Sequence, residues 1–328
     1  MNAINFSLKT LTLFLIFLQI RAIILPCDFS FDKKYGYTCR VGDINITKSH
    51  VKIKRIGGNH EEERKLFNRT DTDVLRVIMF NRTINFLPVN ITHYFPYLRT
   101  LQVKKCGLQR LTRAPDLRFT LRRMYFGFNE IKNIPEKYFW HFCRLETLSL
   151  HGNQISNIPR MAFRDLISLK RLSLNNNHLK SIDSVLFTNC LNLEYVDLEN
   201  NSLQYIESKL FSNQPRLNKL LMRNNQIGAI ESGFLSRLKY NETGFNALLG
   251  GNRCIDNFTF PRDGNYEDLY RLFVNNCSPP QARVESTTPK TTAKPKKKPK
   301  YRTPDMIFFE NCTWNIHKDY AHHFKHGF

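Results

Sequence analysis

A motif of aliphatic residues closed by an asparagine recurs along the middle of this 328-residue chain. Its pattern is LxxLxLxxNxL, and its four unambiguous copies are spaced by 24 residues. A repeat of this length indicates one structural unit per copy, and such units must stack because none buries its apolar face alone. Eight copies are found, the first degenerate and the last shortened, and they begin at Val74, Leu98, Leu121, Leu145, Leu169, Leu193, Leu217 and Ala247.

The spacing within the motif predicts a short strand followed by a turn. The LxL triplet alternates between two faces, as a strand requires, so successive copies are expected to form a parallel sheet. The asparagine after the strand can bond the backbone of the next turn, and a regular stack pairs every such amide. A helical coiled coil is disfavoured because a seven-residue repeat is absent and Pro88, Pro135 and Pro159 interrupt the units. A second apolar series fills the other half of the core: Phe139, Phe163, Phe187 and Phe211.

These copies resemble the extracellular leucine-rich-repeat family, which includes Toll-type ectodomains and Slit-like secreted proteins. The resemblance covers roughly residues 27–277, and the order of parts is also similar to secreted insect proteins of this family. It implies an α/β fold, a curved horseshoe solenoid with a parallel β-sheet on the concave face and caps at both ends. It further implies protein or glycan partners, without selecting one ligand.

The two ends of the chain differ in composition from the repeats. Lys9, the apolar run 11–20 and the small Ala22 form the pattern of a secretory signal over residues 1–22, so a secreted, extracellular protein is expected. An uncleaved signal anchor is the alternative, because residues 23–25 prolong the apolar run; no later stretch offers a transmembrane span. The predicted divisions after the signal are an N-terminal cap at 23–73, repeats at 74–251, a C-terminal cap at 252–284, a disordered linker at 285–304 and a tail at 305–328.

Four of the eight cysteines lie at the ends of the repeat array. In an oxidising compartment Cys27 and Cys39 suit a small disulfide loop in the N-terminal cap. The resemblance implies a corresponding bridge between Cys254 and Cys277 in the C-terminal cap, although two cysteines there depart from the common form with four.

The other four cysteines have different expected roles. Cys106 replaces an asparagine of the ladder and Cys190 occupies an apolar site, so both are predicted to be buried thiols. Cys143 lies beside that apolar site and receives no assignment. Cys312 lies in the tail, where an intermolecular bond would give a disulfide-linked dimer.

Nine N-x-S/T sequons after the predicted signal segment support passage through the secretory pathway. The acceptors predicted to carry glycans are Asn45, Asn68, Asn81, Asn90, Asn241 and Asn257.

The residues between the repeat leucines are expected to project from the concave face. Basic and aromatic side chains alternate there, and these are the types favoured at interface hot spots. The alternative is an ordinary solvated sheet face. In this alignment Phe128 shares a column with His151. The predicted ligand-binding residues are Arg123, Tyr125, Phe128, Arg171, Tyr195, Lys219 and Arg223.

The linker is rich in threonine, proline and lysine and cannot bury enough apolar surface to fold. Its positive charge predicts binding to heparin-like sulfated glycans outside the cell; the alternatives are a solubilising tail, and nucleic-acid binding, which the signal sequence disfavours. The candidate polyanion-binding residues are Lys294, Lys296, Lys297, Lys298 and Lys300.

Motifs for catalysis are not found: the sequence has no GxSxG, HExxH, P-loop or dinucleotide fingerprint. A protein that is not an enzyme, with no cofactor and no metal, is therefore expected; the histidines of the tail are interpreted as chance clustering. The predicted function is recognition of a protein, microbial or glycan ligand through the concave face, in immunity or signalling. The alternative is an extracellular-matrix component retained on sulfated glycans by the basic tail.

Overall fold

The structure is a computed structural model that describes residues 22–58, 68–112, 115–231, 234, 246–254 and 276–277. Within these residues, short 3-10 helices cover Asp71–Asp73 and Pro115–Phe119, and a short α-helix, α1, covers Ile91–Tyr94. The strands are β1 (Ala22–Asp32), β2 (Gly36–Val41), β3 (Asn45–Ile46), β4 (Lys52–Gly57), β5 (Arg76–Phe80), β6 (Thr83–Ile84), β7 (Thr100–Lys104), β8 (Arg123–Tyr125), β9 (Thr147–Ser149), β10 (Arg171–Ser173), β11 (Tyr195–Asp197), β12 (Tyr205–Ile206), β13 (Lys219–Leu221), β14 (Ala229–Ile230) and β15 (Asn246–Leu248).

The repeats form a solenoid around a parallel sheet, as the motif predicts. The main sheet contains one strand from each repeat, and each of these strands pairs in parallel with the next: β5, β7, β8, β9, β10, β11, β13 and β15. Equivalent residues of neighbouring repeats lie side by side; Arg171, for example, lies between Thr147 and Tyr195. The aliphatic residues of each LxL triplet point inward, so that Leu148 and Leu172 are fully buried.

Buried asparagines join each turn to the one before it. In Asn177, Nδ2 donates to the carbonyl of Leu150 at 3.0 Å, and Oδ1 accepts from the amide of Ile155 at 3.0 Å. The same two bonds recur down the array, so the amides satisfy backbone groups that burial would otherwise leave unpaired. The members of this asparagine ladder are Asn129, Asn153, Asn177, Asn201, Asn225 and Asn252.

A stack of phenylalanines fills the core on the side opposite the sheet. Centroids of successive rings are 5.1–6.4 Å apart, whereas strands in a sheet are about 4.8 Å apart. The wider spacing on the phenylalanine side bends the array and makes the sheet its concave face. The stacked rings are Phe139, Phe163, Phe187, Phe211 and Phe234.

The return limbs contain little helix. Tyr138 donates its backbone amide to the carbonyl of Pro135 at 3.0 Å, and Ala162 donates to Pro159 at 2.9 Å. These hydrogen bonds join residues three positions apart and close single turns rather than longer helices. No helix in the described ranges is both long and apolar enough to cross a bilayer.

An antiparallel hairpin of β1 and β2 covers the first turn of the solenoid. The strand β2 pairs in parallel with β5, and β1 continues the sheet to β4. A disulfide between Cys27 and Cys39 joins the two hairpin strands, and another joins Cys254 to Cys277 beyond the last turn. Both predicted bridges are therefore confirmed.

The free thiols of Cys106 and Cys190 are buried, as predicted. Burial raises the pKa of Cys106, and it raises the pKa of Cys190 to about 12, so both remain protonated and unreactive. Cys143 is disulfide-bonded. Cys312, and the dimer predicted through it, lie outside the described residues.

Candidate ligand-binding face

The concave face consists of the side chains that alternate with the buried aliphatics, together with the residue that follows each strand. Two residues of every short strand contribute, as Arg123 and Tyr125 do in β8. Because the strands align residue by residue, these side chains form columns that run along the array.

The N-terminal hairpin adds an aromatic ring to this face. Tyr35, in the turn between β1 and β2, lies under the guanidinium of Arg76, which is 4.1 Å from the ring centroid. The guanidinium of Arg123 is 5.8 Å from the same centroid. Burial raises the pKa of Tyr125, and nearby Tyr35 raises it further. Tyr35, Arg123 and Tyr125 thus belong to one cluster.

Arg76 is held on both sides within this cluster. It donates to Oε1 of Gln102 at 3.0 Å and forms an ion pair with Asp32 at 3.7 Å. Backbone donation from Lys34 is the main cause that lowers the pKa of Asp32, so the carboxylate is charged at neutral pH. The hairpin is therefore fixed against the concave face by charge as well as by the sheet.

Phe128 lies at the edge of the concave face. The sequence analysis placed it in the column of His151, but it lies one residue after that column. Gly127 is aligned with His151, whereas Phe128 occupies the left-handed residue of the turn, with φ of 53°. A side chain in this region costs about 1 kcal/mol, and yet 45% of the Phe128 residue remains exposed. Elsewhere this turn position holds Asn81, Lys105, Gly152, Asn176, Asn200, Asn224 and Gly251.

Two glycines make room for the exposed ring and for His151 beside it. The centroids of Phe128 and His151 are 4.7 Å apart with the rings nearly perpendicular. A Cβ on Gly127 would overlap the imidazole, and one on Gly152 would lie 2.8 Å from Phe128 Cδ1. The ammonium of Lys104 is 5.0 Å from the centroid of Phe128. The ring is thus positioned by several groups rather than left free.

His151 is neutral in this setting. Its Nδ1 is 2.6 Å from the hydroxyl oxygen of Ser149. Burial, and then the charge of Lys104, lower the pKa of His151 below its ordinary value of 6.5. A neutral imidazole can share a hydrogen bond with the serine and pack against Phe128 without adding charge.

The C-terminal half of the concave face differs in charge, because carboxylates as well as basic groups lie near its aromatic ring, Tyr195. Tyr195 lies between Arg171 and Lys219, whose charged groups are 4.9 and 5.6 Å from the ring centroid. Its hydroxyl donates to Asp197 at 3.4 Å. Burial raises the pKa of Asp197 and also that of Glu199, which Asp197 raises further.

The structure therefore divides the predicted ligand-binding residues into two groups. Arg123, Tyr125 and Phe128 lie in the N-terminal half, and Arg171, Tyr195 and Lys219 lie together in the C-terminal half. Arg223 follows β13, where its charge partly opposes the burial that raises the pKa of Glu199. Tyr35 was missed by the sequence analysis because it lies outside the repeats and carries no periodic signal.

The predicted glycan acceptors are not equivalent. Asn45, Asn68 and Asn81 are exposed. The side chain of Asn90 instead accepts from the backbone amide of Ile53 at 2.9 Å and donates to its carbonyl at 3.1 Å, so a glycan there competes with a contact that holds β4. Asn241, Asn257 and the lysines of the linker, Lys294 among them, lie outside the described residues.

Within the part of the chain that the structure describes, no group of three or more histidine, cysteine, aspartate or glutamate side chains could hold a metal ion. The four histidines of the tail lie beyond these residues.

Comparisons with known proteins agree with the observed architecture. The model of the BspA-type leucine-rich-repeat region matches residues 132–249 in six copies. The crystal structure of the APL1 leucine-rich-repeat domain is similar at 22% identity and a TM-score of 0.50, over 64% of this chain and 50% of that one. Toll from the Drosophila Toll–Spatzle complex is similar at 21% identity and a TM-score of 0.50, over 66% and 29%.

This chain spans between 26% and 50% of the lengths of the solved chains it matches. No curated protein sequence matches it significantly. At these identities the similarity shows the fold alone, and the fold agrees with the repeat motif, the asparagine ladder and the parallel sheet. The chain therefore has the leucine-rich-repeat fold, and its residues 132–249 match a leucine-rich-repeat family.

Proposed function

We propose that this protein is secreted and recognises a protein ligand through the concave face of its solenoid, without catalysis, in immunity or signalling. One observation carries the proposal: the concave face presents basic and aromatic side chains that the core does not require. Tyr125, Phe128 and Tyr195 project from it beside Arg123 and Arg171. Such residues dominate interface energies because they bring large apolar area together with hydrogen bonding.

The construction of the solenoid supports the same conclusion. A ladder of paired amides and a filled core make the sheet a rigid platform, so a ligand can bind without a large cost of ordering the protein. Toll has a similar fold and is solved in complex with Spatzle, which supports a binding role for this solenoid.

A glycan placed on the concave face tests the proposal. The substitution Arg171→Asn creates an N-x-S sequon with Ser173 in the centre of the sheet, where Arg171 is exposed. The matched control Gln154→Asn creates a sequon with Ser156 at an exposed position beyond the ladder residue Asn153. A glycosidase mobility shift verifies that both glycans are present.

The measurement is cross-linking of the unaltered protein in extracellular fluid, followed by binding of each identified protein to the two glycosylated variants. We expect Arg171→Asn to abolish binding and Gln154→Asn to preserve it. Equal binding to both variants would refute a ligand on the concave face.

A second candidate function is retention in the extracellular matrix by the basic linker. Its support is the formal net charge of +21 and the concentration of lysines over 290–300. Sulfated glycans bind such segments through charge, so salt should release them. Deletion of 286–303 is expected to lower the salt concentration at which the protein leaves heparin; unchanged elution would refute this candidate.

A further inference from the structure

Charge is distributed unevenly along the concave face. In the N-terminal half, Arg123 and Lys104 accompany the aromatic rings, and the carboxylate of Asp32 is directed to Arg76 at 3.7 Å. In the C-terminal half, the carboxylates of Asp197 and Glu199 lie among Lys219 and Arg223 and offset their charge. The N-terminal half is therefore the part of this face that attracts an anionic ligand.

Phe128 places an exposed apolar ring within this positively charged region. Its backbone is in a conformation that disfavours a side chain of this size, and much of its ring is in water. The same turn position is filled by asparagine in three successive later turns, at Asn176, Asn200 and Asn224. The fold consequently does not require a phenylalanine here, and strain of this kind is concentrated at functional sites.

The surroundings of Phe128 are also specific to this turn. A methyl group at Gly127 would overlap the ring of His151 and one at Gly152 would overlap the ring of Phe128, and His151 packs against Phe128 edge to face. Lys104 places its ammonium 5.0 Å from the ring centroid, and Lys105 places its own at 5.9 Å. An exposed apolar ring with two ammonium groups within 6 Å of its centroid fits an apolar group that is flanked by negative charges.

We propose that the N-terminal half of the concave face binds an acidic segment of a polypeptide partner, with an apolar side chain of the segment on Phe128 and its carboxylates at Lys104, Lys105 and Arg123. This inference rests on the proposed function and specifies the chemistry of the ligand. A sulfated glycan would need the cations but not the strained apolar ring between them. A polypeptide with carboxylates on either side of a phenylalanine or leucine uses both.

Selection from a displayed library of random peptides against the immobilised full chain tests the chemistry. We expect the enriched peptides to combine aspartate or glutamate with a neighbouring apolar residue. Their synthetic versions should lose roughly tenfold or more in affinity when the acidic residues become asparagine or glutamine, or when the apolar residue becomes alanine. Enrichment of neutral or basic peptides would overturn the proposal.

The variant Phe128→Asn separates binding from folding. Because asparagine adopts the left-handed turn readily, the unfolding midpoint should stay the same or rise, while affinity for the selected acidic peptides falls roughly tenfold. Tyr205→Asn is the matched control, since it removes another exposed ring, on the return limb, and should leave affinity unchanged. Unchanged affinity in Phe128→Asn would refute the role of the ring.

The proposed function and this inference can fail separately. If the Arg171→Asn glycan abolishes binding of the extracellular partner while Phe128→Asn and Lys104→Glu do not weaken it, the concave face binds its ligand but the acidic-segment proposal is wrong. If heparin fragments bind through Phe128 and Lys104 and no acidic peptide does, the ligand is a glycan and the proposal is likewise wrong. Loss of acidic-peptide binding in both variants, without loss in Tyr205→Asn, supports it.

Discussion

The turns that begin at Leu145, Leu169, Leu193 and Leu217 repeat one set of contacts, whereas the first two turns, which begin at Val74 and Leu98, satisfy the same backbone groups in other ways. Arg82 stands at the first ladder position and donates through Nε to the carbonyl of Gly42 at 2.8 Å. At the second position Sγ of Cys106 donates to the carbonyl of Met79 at 3.4 Å, and the amide of Ile84 bonds to the backbone of Cys106 at 2.8 Å.

This difference shows where a solenoid tolerates change. A turn between two identical turns needs the amide of asparagine, because one side chain must both donate and accept. Next to the hairpin cap the neighbours are irregular, so a thiol or a guanidinium suffices and backbone bonds supply the rest. The half-buried ring of Tyr35 and the exposed ring of Phe128 lie at or near this irregular end, while the uniform turns provide a rigid support.

The largest expected effect is from removal of a ladder amide in the uniform region. Asn177→Ala leaves the carbonyl of Leu150 and the amide of Ile155 without their partner, and two such buried groups should cost about 3 kcal/mol or more in the free energy of unfolding. Cys106→Ala removes a weak donor and should cost about 1–2 kcal/mol. Urea denaturation measures both. Equal losses would contradict the distinction between the two regions.

Opening the cap should have the next largest effect. The double substitution Cys27→Ala and Cys39→Ala removes a bridge between residues separated by 12 positions, and a loop of this size should contribute about 3 kcal/mol. Because β2 pairs with β5, the loss should appear in the unfolding of the first turns. A urea midpoint equal to that of the unaltered protein would show that the cap does not stabilise the array.

A smaller effect on stability should distinguish Gly127, which is packed against His151, from Gly228, which lies in open space in the uniform region. Gly127→Ala forces His151 to move and should cost about 1–2 kcal/mol. A Cβ on Gly228 meets no atom within 4 Å, so Gly228→Ala should leave stability unchanged or raise it by about 0.5 kcal/mol. Thermal unfolding compares the pair; similar midpoints would mean that Gly127 has no special packing role.

The smallest expected effects are on the pH dependence of stability. They have opposite signs for His151, in the N-terminal half of the concave face, and Asp197, in the C-terminal half. The pKa of His151 is lowered, so the unfolded chain takes up its proton first and stability falls as the pH drops through 6.5. The pKa of Asp197 is raised, so the folded chain binds that proton first and stability rises as the pH drops through the raised value. His151→Gln should remove the loss and Asp197→Asn the gain, which urea denaturation between pH 7 and 4 would measure.

The periodic aliphatics predicted the solenoid and its strand positions, and the position of Cys27 and Cys39 ahead of the array predicted their disulfide. The bridge between Cys254 and Cys277 was implied by the resemblance to leucine-rich-repeat proteins. The sequence alignment misplaced Phe128 by one residue, because it set Phe128 rather than Gly127 in the column with His151. Phe128 directly precedes the ladder residue Asn129, as Gly152 precedes Asn153, and the backbone confirms that it occupies the left-handed turn residue. The contact of Tyr35 with Arg76 depends on a hairpin outside the repeats, so no pattern within the motif could predict it.

Hydrogen exchange of the ladder amides tests most directly whether the middle turns form one rigid array that supports the binding face. The backbone amides of Ile155, Leu179 and Leu203 donate to the oxygens of Asn177, Asn201 and Asn225. We expect the three to exchange at one common slow rate set by cooperative unfolding, and the amide of Ile84 to exchange faster. Three unrelated rates, or exchange as fast as that of Ile84, would contradict the account.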